Sequence, residues 1–223
     1  MDNVIPVLGI KPFYPPTAPP SPESPAIQQT IDILDLQPHM EGGYYVRTHK
    51  SPFRIPNPFP PDRSSAAPPD DPTNATRAAS TSIYYFLTPG APFGAFHRNK
   101  ARTIHTLHYG RGRYVIIHAD EAGEPGMEKK VRVESFVVGK NLAAGEKLQW
   151  IVDGGKYKSS FLLPDEDGGG WDQTNGLLIS EVVVPGFEFC DHDFLRPDAL
   201  HQLVGPEQAK ELSWMLRKID IDE

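Results

Sequence analysis

Proline decides where this chain can be regular. Seventeen of its 24 prolines precede residue 79, and all of these but Pro38 fall in two clusters, Pro6 to Pro25 and Pro52 to Pro72. Proline has no N–H to donate and clashes with the preceding helical turn, so neither cluster is a helix interior or a central strand. The first reads as an extended, polyproline-like arm over residues 1–27. The second reads as a long surface loop at about 52–78. Between them, Ala26 to Leu36 spaces Ile27, Ile31 and Leu34 as a short helix does. The Gly42-Gly43 turn then leads into a strand that carries Tyr44, Tyr45, Val46 and Arg47.

From residue 80 the text changes. β-branched and aromatic runs recur between glycine-rich turns: Thr81–Leu87, Ala95–Arg98, Thr103–Tyr109, Arg113–Ala119, Lys130–Val138, Leu148–Val152, Ser159–Leu163, Leu177–Val184 and Phe187–Phe194. Many short strands at near-regular spacing predict an antiparallel barrel or a sandwich. Ala209, Leu212, Met215 and Leu216 share one helical face in Pro206 to Lys218, a closing helix. Residues 28–223 are thus read as a single domain.

Charge and cysteine exclude several classes. The net charge is −7 with no basic stripe, so no nucleic-acid partner is expected. No long uncharged apolar run suits a membrane span. The first ten residues lack a basic, then apolar, leader. The single Cys190 suits a reducing compartment, and a cytoplasmic location is expected.

Several fragments, in order, resemble one family. Pro38-His39-Met40-Glu41-Gly42-Gly43-Tyr44-Tyr45 is similar to the "PHPEGGYY" opening of the cupin-5 (DUF985) family. Ser82 to Leu87 resembles its "TAIYFLL" strand, and Phe96-His97-Arg98 its "FHR". Gly145-Glu146-Lys147-Leu148-Gln149 resembles its "GE..Q", and Val184 to Asp191 its "VxPGFdFaDF" ending. The resemblance covers roughly Leu34 to Leu203. It implies an all-β cupin jelly-roll barrel, here with the Pro-rich arm and short N- and C-terminal helices. It also implies a homodimer that takes a small-molecule ligand or substrate. It does not choose a reaction, because cupins include enzymes and binders.

The superfamily's metal motif can be laid on the chain. His97 takes the first histidine position, Asn99 the second, and Thr103 the glutamate. In the second half of the motif, Asp153 stands for proline, Gly155 keeps the glycine, and Lys158 falls where a histidine is usual. Three of four expected ligands are replaced, so neither a metal nor another cofactor is expected. Strand alternation puts Thr103 and His105 on one face and His108 on the other. His97 and His105 together are therefore the remaining route to a metal.

Five residues are candidates for catalysis. His97 and His105 can act as acid or base near neutral pH. Glu41, ahead of a glycine turn, can act as a base or orient one. Tyr84 can return a proton, and Lys158 in an apolar interior can stabilise an oxyanion or attack a carbonyl. Arg47 can grip a carboxylate or phosphate with two N–H groups. Tyr45, on the same strand face, and Gln149 are the other substrate-binding candidates. Trp150, Tyr157 and Trp171 either line the mouth of the barrel or pack it. The acidic loop Asp165 to Gly170 lacks the ligand spacing of a calcium loop and reads as a solvated turn.

The leading expectation is a metal-independent isomerase or lyase that works by acid/base chemistry on a carbonyl-containing metabolite. The alternatives are a binding protein without catalysis and a metal-dependent dioxygenase with non-standard ligands.

Overall fold

Ser24 opens the ordered core. Its hydroxyl accepts from the N–H of Ile27 and caps helix α1 (Pro25–Leu34). Pro25 is tolerated there because the first-turn N–H has no intrahelical partner. The helix ends where Asp35 turns left-handed at φ 53°. Ile27 and Ile31 bury their side chains with Leu36 against Phe86 and Leu178. Full burial of such side chains stabilises by about 1.5–3 kcal/mol each, so packing, not propensity, holds this helix of 10 residues. The computed structural model describes residues 9–16, 22–59, 67–123, 130–165 and 174–217.

Thirteen strands follow among the described residues. They are β1 (Gln37–Pro38), β2 (Tyr44–Lys50), β3 (Arg54–Pro56), β4 (Thr76–Ala78), β5 (Thr81–Leu87), β6 (Phe93–Asn99) and β7 (Arg102–Tyr109). Then come β8 (Gly112–Ile117), β9 (Val133–Val138), β10 (Gln149–Val152), β11 (Tyr157–Leu162), β12 (Leu177–Val184) and β13 (His192–Phe194). Two short helices close the chain, α2 (Pro197–Leu203) and α3 (Pro206–Leu212).

The expected barrel is corrected here. The strands form two open antiparallel sheets, ordered β1-β2-β5-β12-β7-β10 and β13-β6-β11-β8-β9, and among the described residues no strand ladder joins them. The arrangement is a sandwich. Closure needs edge strands long enough to pair across both seams. Here β1 has two residues, β13 has three and β10 has four. Tyr85, Leu107, Tyr114, Ile116, Phe136, Trp150 and Ile179 pack together between the sheets as one apolar cluster. Helix α1 covers the outer face of the six-stranded sheet. Helices α2 and α3 cover the outer face of the five-stranded sheet through Leu200, Val204, Ala209 and Leu212, against Val115, Ile117 and Phe161.

Three local expectations shift. The second proline cluster begins and ends in a two-stranded ribbon, β3 with β4, in which Pro56 sits opposite Thr76. A ribbon has open edges, so a missing N–H there costs little. Residues 60–66 of that cluster, and 1–8 and 17–21 of the arm, lie outside the described residues. The closing helix expected over Pro206 to Lys218 is α3 followed by a 3-10 turn at Ser213–Met215, and a further helix, α2, precedes it. Ile10 of the arm is buried in the core beside α3, and its N–H donates to Glu211 Oε1 at 2.6 Å. Among the described residues no helix is long and apolar enough to cross a membrane.

Candidate functional site

Residues paired across antiparallel strands share a face of the sheet. In the six-stranded sheet one row runs Arg47, Ile83, Glu181, His105, Trp150. In the five-stranded sheet one row runs Phe194, His97, Lys158, Ile116, Glu134. The two rows meet between the sheets. Lys158 Nζ donates to Glu181 Oε2 at 2.8 Å and to His105 Nε2 at 2.9 Å. Lys158 is 3% exposed and His105 fully buried, so the ion pair is shielded from water. Two of the three ammonium N–H groups are used. The third has no partner among the described residues.

Glu41 enters from the turn before β2. Gly42 and Gly43 both have positive φ, 106° and 70°. A Cβ on Gly42 would run into the Phe93 carbonyl oxygen. The glycine turn therefore lies flat on β6, and the N–H of Ala95 donates to the Glu41 carbonyl at 2.6 Å. This puts the Glu41 carboxylate between two imidazoles. His97 Nδ1 is 3.3 Å from Oε2, and His192 Nε2 is 2.9 Å from Oε1. The two rings stack with centroids 5.5 Å apart and planes 22° apart. His39 Nδ1 lies 3.5 Å from the same carboxylate.

The hydrogen-bond network assigns the histidine tautomers. His97 Nδ1 faces two acceptors, the Ala95 carbonyl at 2.9 Å and Glu41, so it carries the proton. Its Nε2 is then a lone pair, and nothing bonds it among the described residues. His105 accepts from Lys158 at Nε2, so its proton is on Nδ1. That nitrogen neighbours the Trp150 backbone without a partner at hydrogen-bond geometry.

Electrostatics follow from burial. Burial pushes His97 down to about 3, against partial opposition from Glu41. Burial and then the Lys158 ammonium hold His105 well below its usual range. Burial also lowers His39. For Glu41, burial alone would raise the pKa. The surrounding His97, His192 and His39 rings outweigh it and hold the carboxyl well below the usual carboxylate range. At neutral pH the site thus holds an anionic Glu41 against a neutral His97. Burial, then Glu41, raises Tyr85, and burial, then Glu181, raises Tyr114, so both phenols keep their protons. The Tyr85 hydroxyl donates to the Gly42 carbonyl at 2.8 Å.

The structure brings together Glu41, His97, His105 and Lys158 of the candidates. Tyr45 stands beside them, its ring 4.4 Å from that of His39. Arg47 lies in the same row as Glu181 but at its exposed end. Tyr84 stands on the opposite face of β5, with Phe86 and α1, against His108. Gln149 is exposed and bonds Thr106 Oγ1 at 3.3 Å. Tyr157 packs on the outer face under Arg98, and Trp150 stacks on His105 at 5.1 Å. Residues 166–170 of the acidic loop and Trp171 lie outside the described residues.

His39, Tyr85, Glu181 and His192 were missed. Glu181 had a signal, a lone carboxylate inside the apolar strand Leu177–Val184, which demands a buried partner. His192 had none, because only the fold carries it across to Glu41.

A metal centre of the kind the resemblance implies needs imidazoles and a carboxylate converging on one point. Here the Asn99 and Thr103 side chains occupy two ligand positions and face each other at 3.5 Å. The Lys158 ammonium occupies a third and takes up the donor atoms of His105 and Glu181. His39, His97 and His192 turn ring nitrogens onto the Glu41 carboxylate itself, and among the described residues no group of three His, Cys, Asp or Glu could hold a metal ion. The residues present do not fit that centre.

The comparisons agree with this fold. The family described as "Cupin superfamily (DUF985)" matches residues 28–195. The uncharacterized protein YML079W of Saccharomyces cerevisiae is 45% identical over 198 residues, which is 88% of this chain and 89% of that protein. A hypothetical protein from Leishmania major superposes with a TM-score of 0.67 at 27% identity, over 86% of this chain and 98% of that one. Protein SO0799 from Shewanella oneidensis superposes with a TM-score of 0.59 at 23% identity, over 89% and 100%, a likeness of fold alone. With most of its length matched, the chain belongs to the DUF985 family of the cupin superfamily.

Proposed function

We propose that this protein is a proton-transfer enzyme acting on a carbonyl-containing metabolite held between the two sheets. One observation carries the reading. A buried neutral His97 has its Nδ1–H fixed on Ala95 and Glu41, which leaves Nε2 as a free base next to the row position of an ammonium. Nε2 removes a proton from the carbon beside the carbonyl, and the C–H electron pair moves onto the carbonyl oxygen. The unspent N–H of Lys158 donates to that oxygen as charge develops. The new imidazolium faces Glu41, whose carboxylate stabilises it. His97 then returns the proton to carbon or to a leaving oxygen, which gives isomerisation, epimerisation or dehydration. Glu181 and His105 act as positioning residues that aim Lys158.

Positioned acid/base groups of this kind contribute about 10²–10⁴-fold. The test is deuterium incorporation beside the carbonyl of a panel of small ketones and keto acids in D2O, followed by proton NMR. The expected result is protein-dependent exchange that falls by about 10²-fold or more in His97→Ala and in Lys158→Met. Exchange that survives His97→Ala unchanged would remove His97 from the mechanism.

A further inference from the structure

Nearly every arginine among the described residues is committed. Arg77, Arg98, Arg102, Arg111, Arg132 and Arg196 pair with carboxylates. Arg54 also faces one, Arg113 bonds Ser135, and Arg217 lies over the Phe194 ring. Arg47 alone has no hydrogen bond, ion pair or ring contact among the described residues. Its place is also unusual. It shares the row of Glu181, with one strand, carrying Ile83, between them, about 10 Å at two strand spacings. Tyr45, two residues earlier on the same face, packs its ring on His39, and its hydroxyl bonds nothing among the described residues. Two unspent donors thus stand together on β2 at the open end of the row that holds Lys158's partner.

We infer that the substrate is a monocarboxylate whose carbonyl lies several bonds from the acid group. The carboxylate is held by Arg47 and Tyr45 and the carbonyl by Lys158. A guanidinium fork matches a carboxylate with two N–H bonds. Charge selects a single negative group. Glu41, Glu181 and Lys158 leave the interior with one net negative charge, and Arg47 supplies one positive charge at its edge. A doubly charged phosphate has no second free cation in that row. Two strand spacings between the Arg47 and Glu181 positions suit an acid group and a carbonyl set apart better than a 2-oxo acid, in which the two adjoin. This inference rests on the proposed reading of the site.

The test uses the full chain and 4-oxopentanoate as probe, with its methyl ester and pyruvate as comparators, in titration calorimetry. The expected result is that 4-oxopentanoate binds at least tenfold more tightly than either comparator. Arg47→Met then abolishes the preference over the ester while ester binding and thermal stability stay unchanged. The inference is overturned if acid and ester bind alike, if 4-oxopentanoate does not bind, if pyruvate binds as tightly, or if the preference survives Arg47→Met. His97→Ala separates the two readings, since it must retain the binding preference. Preferential binding without His97-dependent exchange at the probe's C3 and C5 protons leaves the substrate class standing and removes the catalytic role.

Discussion

Lys158 is the residue whose removal should be felt most. Its ammonium is the buried cation against Glu181 at 2.8 Å, with Glu181 itself 8% exposed. Methionine nearly matches lysine in length, so Lys158→Met changes charge with little change in packing. It leaves a buried carboxylate uncompensated and returns His105 Nε2 to the interior without a donor. Breaking one side of a buried pair costs about 3–5 kcal/mol. Glu181→Gln keeps an acceptor for Lys158 but leaves the ammonium unneutralised, so a smaller loss of about 2–4 kcal/mol is expected. The double variant Lys158→Met/Glu181→Gln removes both charges. Its loss should fall below the sum of the singles by about 2 kcal/mol or more. Urea unfolding of the four proteins at pH 7, read by tryptophan fluorescence, measures the cycle. Losses that add within about 0.5 kcal/mol would refute the claim that these groups form one buried unit.

Two further outcomes follow from the same geometry. The folded pKa of His97 is about 3 against 6.5 unfolded, so the unfolded chain binds more protons and His97 makes the fold less stable as pH falls below 6.5. From pH 6.5 to 4.5 this amounts to about 2–3 kcal/mol, and His97→Asn should flatten the acid limb of stability against pH by that much. An unchanged limb in denaturant titrations across this range would show that His97 titrates normally in the fold. Gly42→Ala forces a positive φ on alanine and drives its Cβ into the Phe93 carbonyl. It should cost at least about 2 kcal/mol and displace Glu41, which histidine-selective ¹⁵N NMR would report as lost Nδ1 protonation of His97. Wild-type stability and an unchanged His97 spectrum would mean that the turn tolerates a side chain.

Strand existence and facing were legible in the residues. Thr103, His105 and Leu107 are buried while Arg102 and His108 are exposed, as alternation along β7 requires. Alternation is a local property of a pleated strand, so one strand's sequence suffices to show it. The family fragments, read in order, likewise pointed to the fold group. Tyr84 shows where local reading stops. Its neighbour Tyr85 turns inward to Gly42, while Tyr84 faces α1. Phase along β5 depends on which side the helix covers.

That the sheets stay open, and how the site assembles, belong to tertiary structure. No local signal says that β1, β10 and β13 are too short to seal the two seams, because that depends on which strands end as neighbours. Nor does spacing along the chain reveal that Lys158 opposes His97, or that Glu181 opposes His105. Those pairings are set by register between strands 61 and 76 positions apart, and register is decided by burial of whole faces. The sequence alone supplied candidate residues and, along β7, the face that Thr103, His105 and Leu107 share. Only the folded sandwich decided their partners. Burying Lys158, Glu181 and His105 together is tolerable only when each meets the others at hydrogen-bond distance, a condition that no single segment can satisfy.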